Sequence, residues 1–159
     1  MRNRNVTMIT QGAIIAALYV VLTFVANTLG LASGAIQIRL SEALTILPYF
    51  TPAAIPGLFV GCLISNILVG SVLWDVIFGS IATLLGAIGT YYLKKHKWLA
   101  PIPPILSNAI IVPFVLVYAY GVTDALPFLA FTVGAGEVLS AGVLGMILLK
   151  SLEKHKDIF

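Results

Sequence analysis

IQIRLSEALTILPYF, residues Ile36 to Phe50, decides how this chain can be threaded. It carries Arg39 and, three positions on, Glu42, both inside an otherwise apolar segment. An ionisable side chain away from the water boundary of a membrane is costly and by default marks a functional site. That reading depends on the rest of the chain being embedded, which the composition supports. Of 159 residues, 60% are hydrophobic and 9% charged, against about 25% charged in a soluble domain. At roughly 20 residues per crossing, this length holds about six membrane helices in a single domain, residues 1–159, with no room for a soluble one.

Five further apolar runs are long enough to span: Met8 to Leu29, Pro52 to Val69, Asp75 to Leu93, Leu99 to Tyr120 and Leu126 to Leu149. The first follows Arg2 and Arg4 and precedes Leu31-Ala32-Ser33-Gly34, as in a secretory signal. Its length is about twice that of a signal core of roughly 7–15 residues, so it is expected to stay as a membrane helix.

Charge placement sets the topology. Eight of the nine basic residues fall in three clusters, Arg2/Arg4, Lys94/Lys95/Lys97 and Lys150/Lys154/Lys156, with Arg39 left over. Basic residues in short loops face the cytoplasm, so an even number of crossings must separate any two clusters. Two runs lie between the second and third clusters, but three lie between the first and second. Ile36 to Phe50 supplies the missing crossing, or one of those three runs is re-entrant. As an α-helix it reaches only about 22 Å. The expectation is an all-α membrane bundle of six transmembrane helices, both termini cytoplasmic, the second helix short.

The acids complement the bases. Glu153 and Asp157 lie in the tail, whereas Glu42, Asp75, Asp124 and Glu137 fall on the outer side or within the membrane, four acids against Arg39. A cavity so lined favours a cationic or hydrogen-bond-donating ligand. Glu137, in VGAGEVLSAG near the middle of the last helix, should face the protein interior, as a ligand acceptor or as a buried structural carboxylate, protonated or hydrogen-bonded to another helix. Arg39 and Glu42 either neutralise one another or present a donor and an acceptor to a planar polar ligand; a carboxylate can take two parallel hydrogen bonds, as from the N1 and 2-amino edge of a guanine-like base. Asn66 and Asn108 can read a heterocycle edge or act as interhelical glue. Trp74 and Asp75 can offer a stacking face and an acceptor, or an interface anchor and a helix cap.

Small-residue arrays mark surfaces. Gly57, Gly61 and Ser65 form a stripe suited to packing within the bundle, and Ala13 and Ala17 form another on the first helix, where a partner subunit can approach. The single Cys62 is a packing residue, and His96 and His155 lie in lysine-rich, solvated segments. The sequence contains no G-x-x-x-x-G-K-[ST] loop and no metal-spaced His or Cys motif, so no cofactor is expected in this chain and it is not read as an enzyme. Such a chain is a passive carrier or one subunit of a larger machine.

The residues also carry a resemblance. GAIQIRLSEALTILPYFTPAAIPGLFVGCLISN from Gly34 to Asn66, Trp74-Asp75, GSIATLLGA from Gly79 to Ala87, the alanines of the first helix and GAGE in the last resemble the QueT family of queuosine-precursor transporters. RLSEAL followed by the Pro48-x-x-x-Pro52 spacing is the most specific part. The resemblance implies an S component, the substrate-binding subunit of an energy-coupling-factor transporter, in the plasma membrane of a prokaryote. It implies a 7-deazaguanine ligand, the 7-aminomethyl precursor or queuine, held in an outward-facing pocket. A scaffold subunit and two ATPase subunits would use ATP to drive uptake, with Ala13 and Ala17 matching the family's A-x-x-x-A contact to the scaffold. On this reading Glu42 or Glu137 meets the donor edge of the base, a second acid meets the ammonium, and Arg39 meets the carbonyl oxygen or holds Glu42. The alternatives are an S component for another vitamin or nucleobase, and a self-sufficient membrane channel or enzyme.

Overall fold

The computed structural model describes residues 3–32 and 36–155. Arg2, Ser33, Gly34, Lys156 and Asp157 lie outside the described residues. All regular structure among those described is helical: α1 (Arg4–Thr28), a 3-10 helix (Leu40–Tyr49), α2 (Ala54–Leu68), α3 (Leu73–Tyr92), a short 3-10 turn (Lys97–Leu99) leading into α4 (Ile102–Tyr118), and α5 (Leu126–Glu137). A π-helical turn, Val138–Leu144, continues α5 into α6 (Gly145–Glu153). Four of these stretches, Arg4–Thr28, Leu73–Tyr92, Lys97–Tyr118 and Leu126–Glu153, are long and apolar enough to cross a membrane, and α2 is a shorter apolar helix. The protein is a multi-pass helical membrane bundle.

Its axis is the stretch from Ile36 to Phe50, in a form that differs from the expected short α-helix. Gln37 to Arg39 run without helical structure, Arg39 at φ −96° and ψ 96°, and a 10-residue 3-10 helix follows. At about 2.0 Å per residue against 1.5 Å for an α-helix, the tighter winding stretches those residues to roughly 20 Å. Ser41 through Pro48 are all buried, enclosed by α1, α3, α6 and the π-helical turn. Backbone with imperfect hydrogen bonding survives at membrane depth only where protein shields it from lipid, and this enclosure provides that shield. Three residues per turn also sets which side chains share a face. Glu42 stacks on Thr45 and Pro48, and the Thr45 hydroxyl donates to the Glu42 carbonyl at 2.6 Å; Ile46 and Tyr49 share a different face.

Small residues set the α1–α2 contact. A Cβ on Gly57 would stand 2.6 Å from the Gly12 carbonyl oxygen, and one on Gly61 would stand 2.8 Å from the Tyr19 Cβ. The stripe expected to pack within the bundle does so, with Ser65 buried, and it sets Tyr19 against the central helix.

Among the described residues, Arg4 beside Thr51, Lys97 beside Glu153 and Lys150 over Trp98 gather at one end, as the parity argument requires. Thr51 donates to Gln11 at 2.9 Å, tying the turn after the central helix to the start of α1. Lys97 pairs with Glu153 at 3.4 Å, and Lys150 sits 5.2 Å over the Trp98 ring. Phe50 and Leu152 pack against the same buried cluster. His96 and His155 are exposed at this end.

Candidate ligand site and its buried carboxylates

Two cavities open at the end opposite the basic clusters. The larger, about 320 Å³, is lined by α1, the Gln37–Ser41 segment, the α2–α3 turn and Tyr120. The smaller, about 180 Å³, lies between α4 and α5. Gln37 and Arg39 line both, so this segment forms their common wall.

The close approach of that wall to the last helix has a local cause. A Cβ on Gly136 would stand 2.1 Å from the Gln37 carbonyl oxygen, a separation that only glycine permits. The backbone N–H of Arg39 then donates to the Ser140 hydroxyl at 3.1 Å. Arg39 is partly exposed and, among the described residues, its guanidinium makes no ion pair. It interacts electrostatically with Asp75, Glu42 and Glu137, but the direct Arg39–Glu42 pair allowed by the sequence is not formed.

Asp75 and Asn66 stand on the wall of the larger cavity. The Asp75 Oδ2 accepts from the Tyr120 hydroxyl at 2.8 Å, while its Oδ1 is buried and, among the described residues, unpartnered. Burial, and then the bond to Asp75, raise the Tyr120 hydroxyl above the usual tyrosine range, so it remains a donor at neutral pH. The Asn66 amide donates to the Asp75 carbonyl at 3.4 Å. Buried polar groups are normally paired, so an orphaned carboxylate oxygen on a residue that lines a cavity is a notable exception.

Glu42 is placed differently from the expected ligand contact. It is fully buried and lines neither cavity. The Tyr19 hydroxyl donates to its Oε1, Thr83 donates to the same oxygen at 3.3 Å, and Asn108 donates to Oε2 at 3.5 Å. Neutral donors from α1, α3 and α4 thus stabilise a carboxylate whose burial would otherwise cost several kcal/mol. Asn108 also donates to the Pro104 carbonyl at 3.1 Å and is itself sealed in, the interhelical reading of that side chain. Glu137 does reach a cavity, the smaller one, and its Oε2 is buried without a partner among the described residues.

Trp74 is not brought to either cavity. It is 58% exposed, stacks on Phe78 at 5.8 Å and lines an apolar outer groove with Phe114 and Tyr118. Successive residues on an α-helix are about 100° apart, so turning Asp75 inward turns Trp74 outward. Tyr19, Tyr120 and Gln37 line the larger cavity and Thr83 holds Glu42 beneath it; the sequence reading picked out none of the four. Their only signal was a polar atom in or beside an apolar run, which leaves the partner unspecified. Among the described residues no group of three or more His, Cys, Asp or Glu side chains is placed to hold a metal ion.

A family model described as QueT transporter matches residues 9–154. A curated relative, the queuosine precursor transporter QueT of Lactococcus lactis subsp. cremoris (strain MG1363), is 43% identical over 87 residues, covering 54% of this chain and 50% of the relative. The match thus spans about half the length of that relative. No solved structure matches the chain.

Proposed function

The chain belongs to the QueT transporter family, and from that premise we propose that it is the substrate-binding subunit of an importer for a queuosine precursor of the 7-deazaguanine type. The observation that carries this reading is the wall of the larger cavity, lined by Asp75, Asn66 and Arg39, where among the described residues the Asp75 Oδ1 has no partner and the Arg39 guanidinium makes no ion pair. Asp75 accepts from the N–H edge of the base, and Arg39 and Asn66 donate to its carbonyl oxygen. At about 320 Å³ the cavity lies at the small end of the roughly 300–1,000 Å³ typical of ligand sites, which suits a bicyclic base. Glu42 anchors the fold beneath this cavity.

Purified protein should therefore bind a 7-deazaguanine without any nucleotide. Calorimetry that detects no heat with deazaguanines, but does with another vitamin or nucleobase, would overturn the substrate assignment. Asp75→Asn keeps the shape and can still accept from Tyr120, but it loses charge-assisted hydrogen bonds worth about 1.5–3 kcal/mol each. The dissociation constant should rise by roughly 10-fold to 100-fold, and an unchanged value removes Asp75 from the site.

The work of import falls to partners: an energy-coupling-factor scaffold and two ATPases. The chain's lack of a phosphate loop and the exposure of Ala13 and Ala17 on α1 support this. Ala13 lines a shallow apolar groove with Gly12 and Pro56, toward the end that carries the basic clusters. By the charge rule that end is cytoplasmic, in the plasma membrane of a prokaryotic cell. Replacing Ala13 and Ala17 together with leucine should abolish uptake by the assembled transporter while leaving ligand affinity unchanged. Loss of binding in that variant would assign the stripe to the fold, and copurification without ATPases would favour a self-sufficient channel.

A further inference from the structure

We infer that Lys97, Trp98 and Lys150 form a binding site for the headgroup of an anionic phospholipid, at the end of the bundle that carries the basic clusters and apart from both cavities. Packing builds this site from two distant segments. Ala100 and Leu149 are buried in one cluster with Ile46, and the Thr90 hydroxyl donates to the Ala100 carbonyl at 2.8 Å. These contacts fix the turn after α3 against α6. Successive residues on an α-helix are about 100° apart, so burying Leu149 turns Lys150 outward. Its Nζ lies 5.2 Å from the centroid of the Trp98 ring, and the Lys97 Nζ lies 5.9 Å from the same centroid.

Two ammonium groups held at one indole repel each other, and the protein neutralises them only in part. Glu153, 3.4 Å from Lys97, is the one acid among the described residues of this turn and of α6 with its cap, against Lys94, Lys95, Lys97, Lys150 and Lys154. The charge rule places lysines in loops at this end, but it does not require two of them to converge on one ring. A phosphodiester resolves the repulsion, because each of its two free oxygens can take a charge-assisted hydrogen bond from one ammonium. The surroundings favour a phosphate carried by lipid. Trp98 is 65% exposed, and Leu99 and Ile102 just after it are exposed as well. An exposed indole beside aliphatic side chains belongs at headgroup depth, where basic clusters attract anionic lipids.

Native mass spectrometry of the delipidated protein, titrated with phosphatidylglycerol or phosphatidylcholine of matched acyl chains, tests this. The wild-type protein should bind phosphatidylglycerol about fivefold tighter or more, the effect of one lysine near an anionic surface. Lys97→Gln with Lys150→Gln should erase most of that preference. Lys94→Gln with Lys95→Gln removes the same charge from the same end and should keep most of it. Inorganic phosphate in excess should not displace the lipid, since it has no acyl chain to rest on Trp98 and its neighbours. Equal affinity for the two lipids, equal loss in the two double variants, or displacement by inorganic phosphate overturns the lipid site. An intact lipid preference in Lys97→Gln with Lys150→Gln, together with loss of copurifying partner subunits, also overturns it and assigns the lysines to an acidic protein surface.

Discussion

Gly136→Ala should weaken ligand binding by roughly 10-fold to 100-fold, the size of one charge-assisted hydrogen bond of about 1.5–3 kcal/mol lost from Arg39. The new Cβ would stand 2.1 Å from the Gln37 carbonyl oxygen, so the Gln37–Arg39 segment must retreat from the last helix. It would take with it the Arg39 guanidinium shared by both cavities and the bond from the Arg39 N–H to Ser140. The neighbouring Gly134→Ala is the control, since its Cβ would meet Ala109 at an ordinary 3.7 Å. Both variants lose one glycine from the same GAG sequence and gain similar helix propensity. Calorimetry on the pair separates a helix effect from a wall effect; equal affinities would overturn the role assigned to Gly136.

Glu42→Ala should destabilise the bundle by about 3 kcal/mol. Orphaning a buried donor costs roughly 1–3 kcal/mol, and the buried Tyr19 hydroxyl would lose its carboxylate acceptor. Thr83 and Asn108 lose less, because each keeps a second bond, to the Cys62 sulfur at 3.4 Å and to the Pro104 carbonyl at 3.1 Å. The vacated side-chain volume adds a cavity term of its own. Glu42→Gln preserves volume and an acceptor oxygen, and it should cost about 1 kcal/mol. Unfolding in detergent micelles, with ligand absent, measures both. If Glu42→Ala unfolds like the wild type, the carboxylate does not anchor the helices; if it is stable yet fails to bind ligand, Glu42 returns to the ligand site.

Much of the architecture was legible in the sequence because the bilayer imposes few solutions. Apolar runs must be helices when no water is available to the backbone, and three lysine- and arginine-rich clusters set the parity of the crossings. That arithmetic identified Ile36 to Phe50 as a traversing segment. It could not give the segment's winding. A 3-10 helix is the poorer choice in isolation, and it prevails here because α1, α3, α6 and the π-helical turn enclose it while the backbone has to cover more depth per residue.

The roles of the charges divide in the same way. That Arg39, Glu42, Asp75 and Glu137 face inward follows from the cost of exposing them to lipid, and sequence alone determined it. Which of them meet was a tertiary matter. Tyr19 reaches Glu42 across 23 positions, and Arg39 reaches Ser140 across 101. No local pattern encodes contacts of that range, since they depend on how closely helices approach, and that is set by residues such as Gly57 and Gly136. The chain's class as a multi-pass helical bundle and its inward charges are therefore written in its composition and order. The separation of Glu42 from Arg39, one sealed among hydroxyls and amides and the other left at the wall of two cavities, was decided by packing alone.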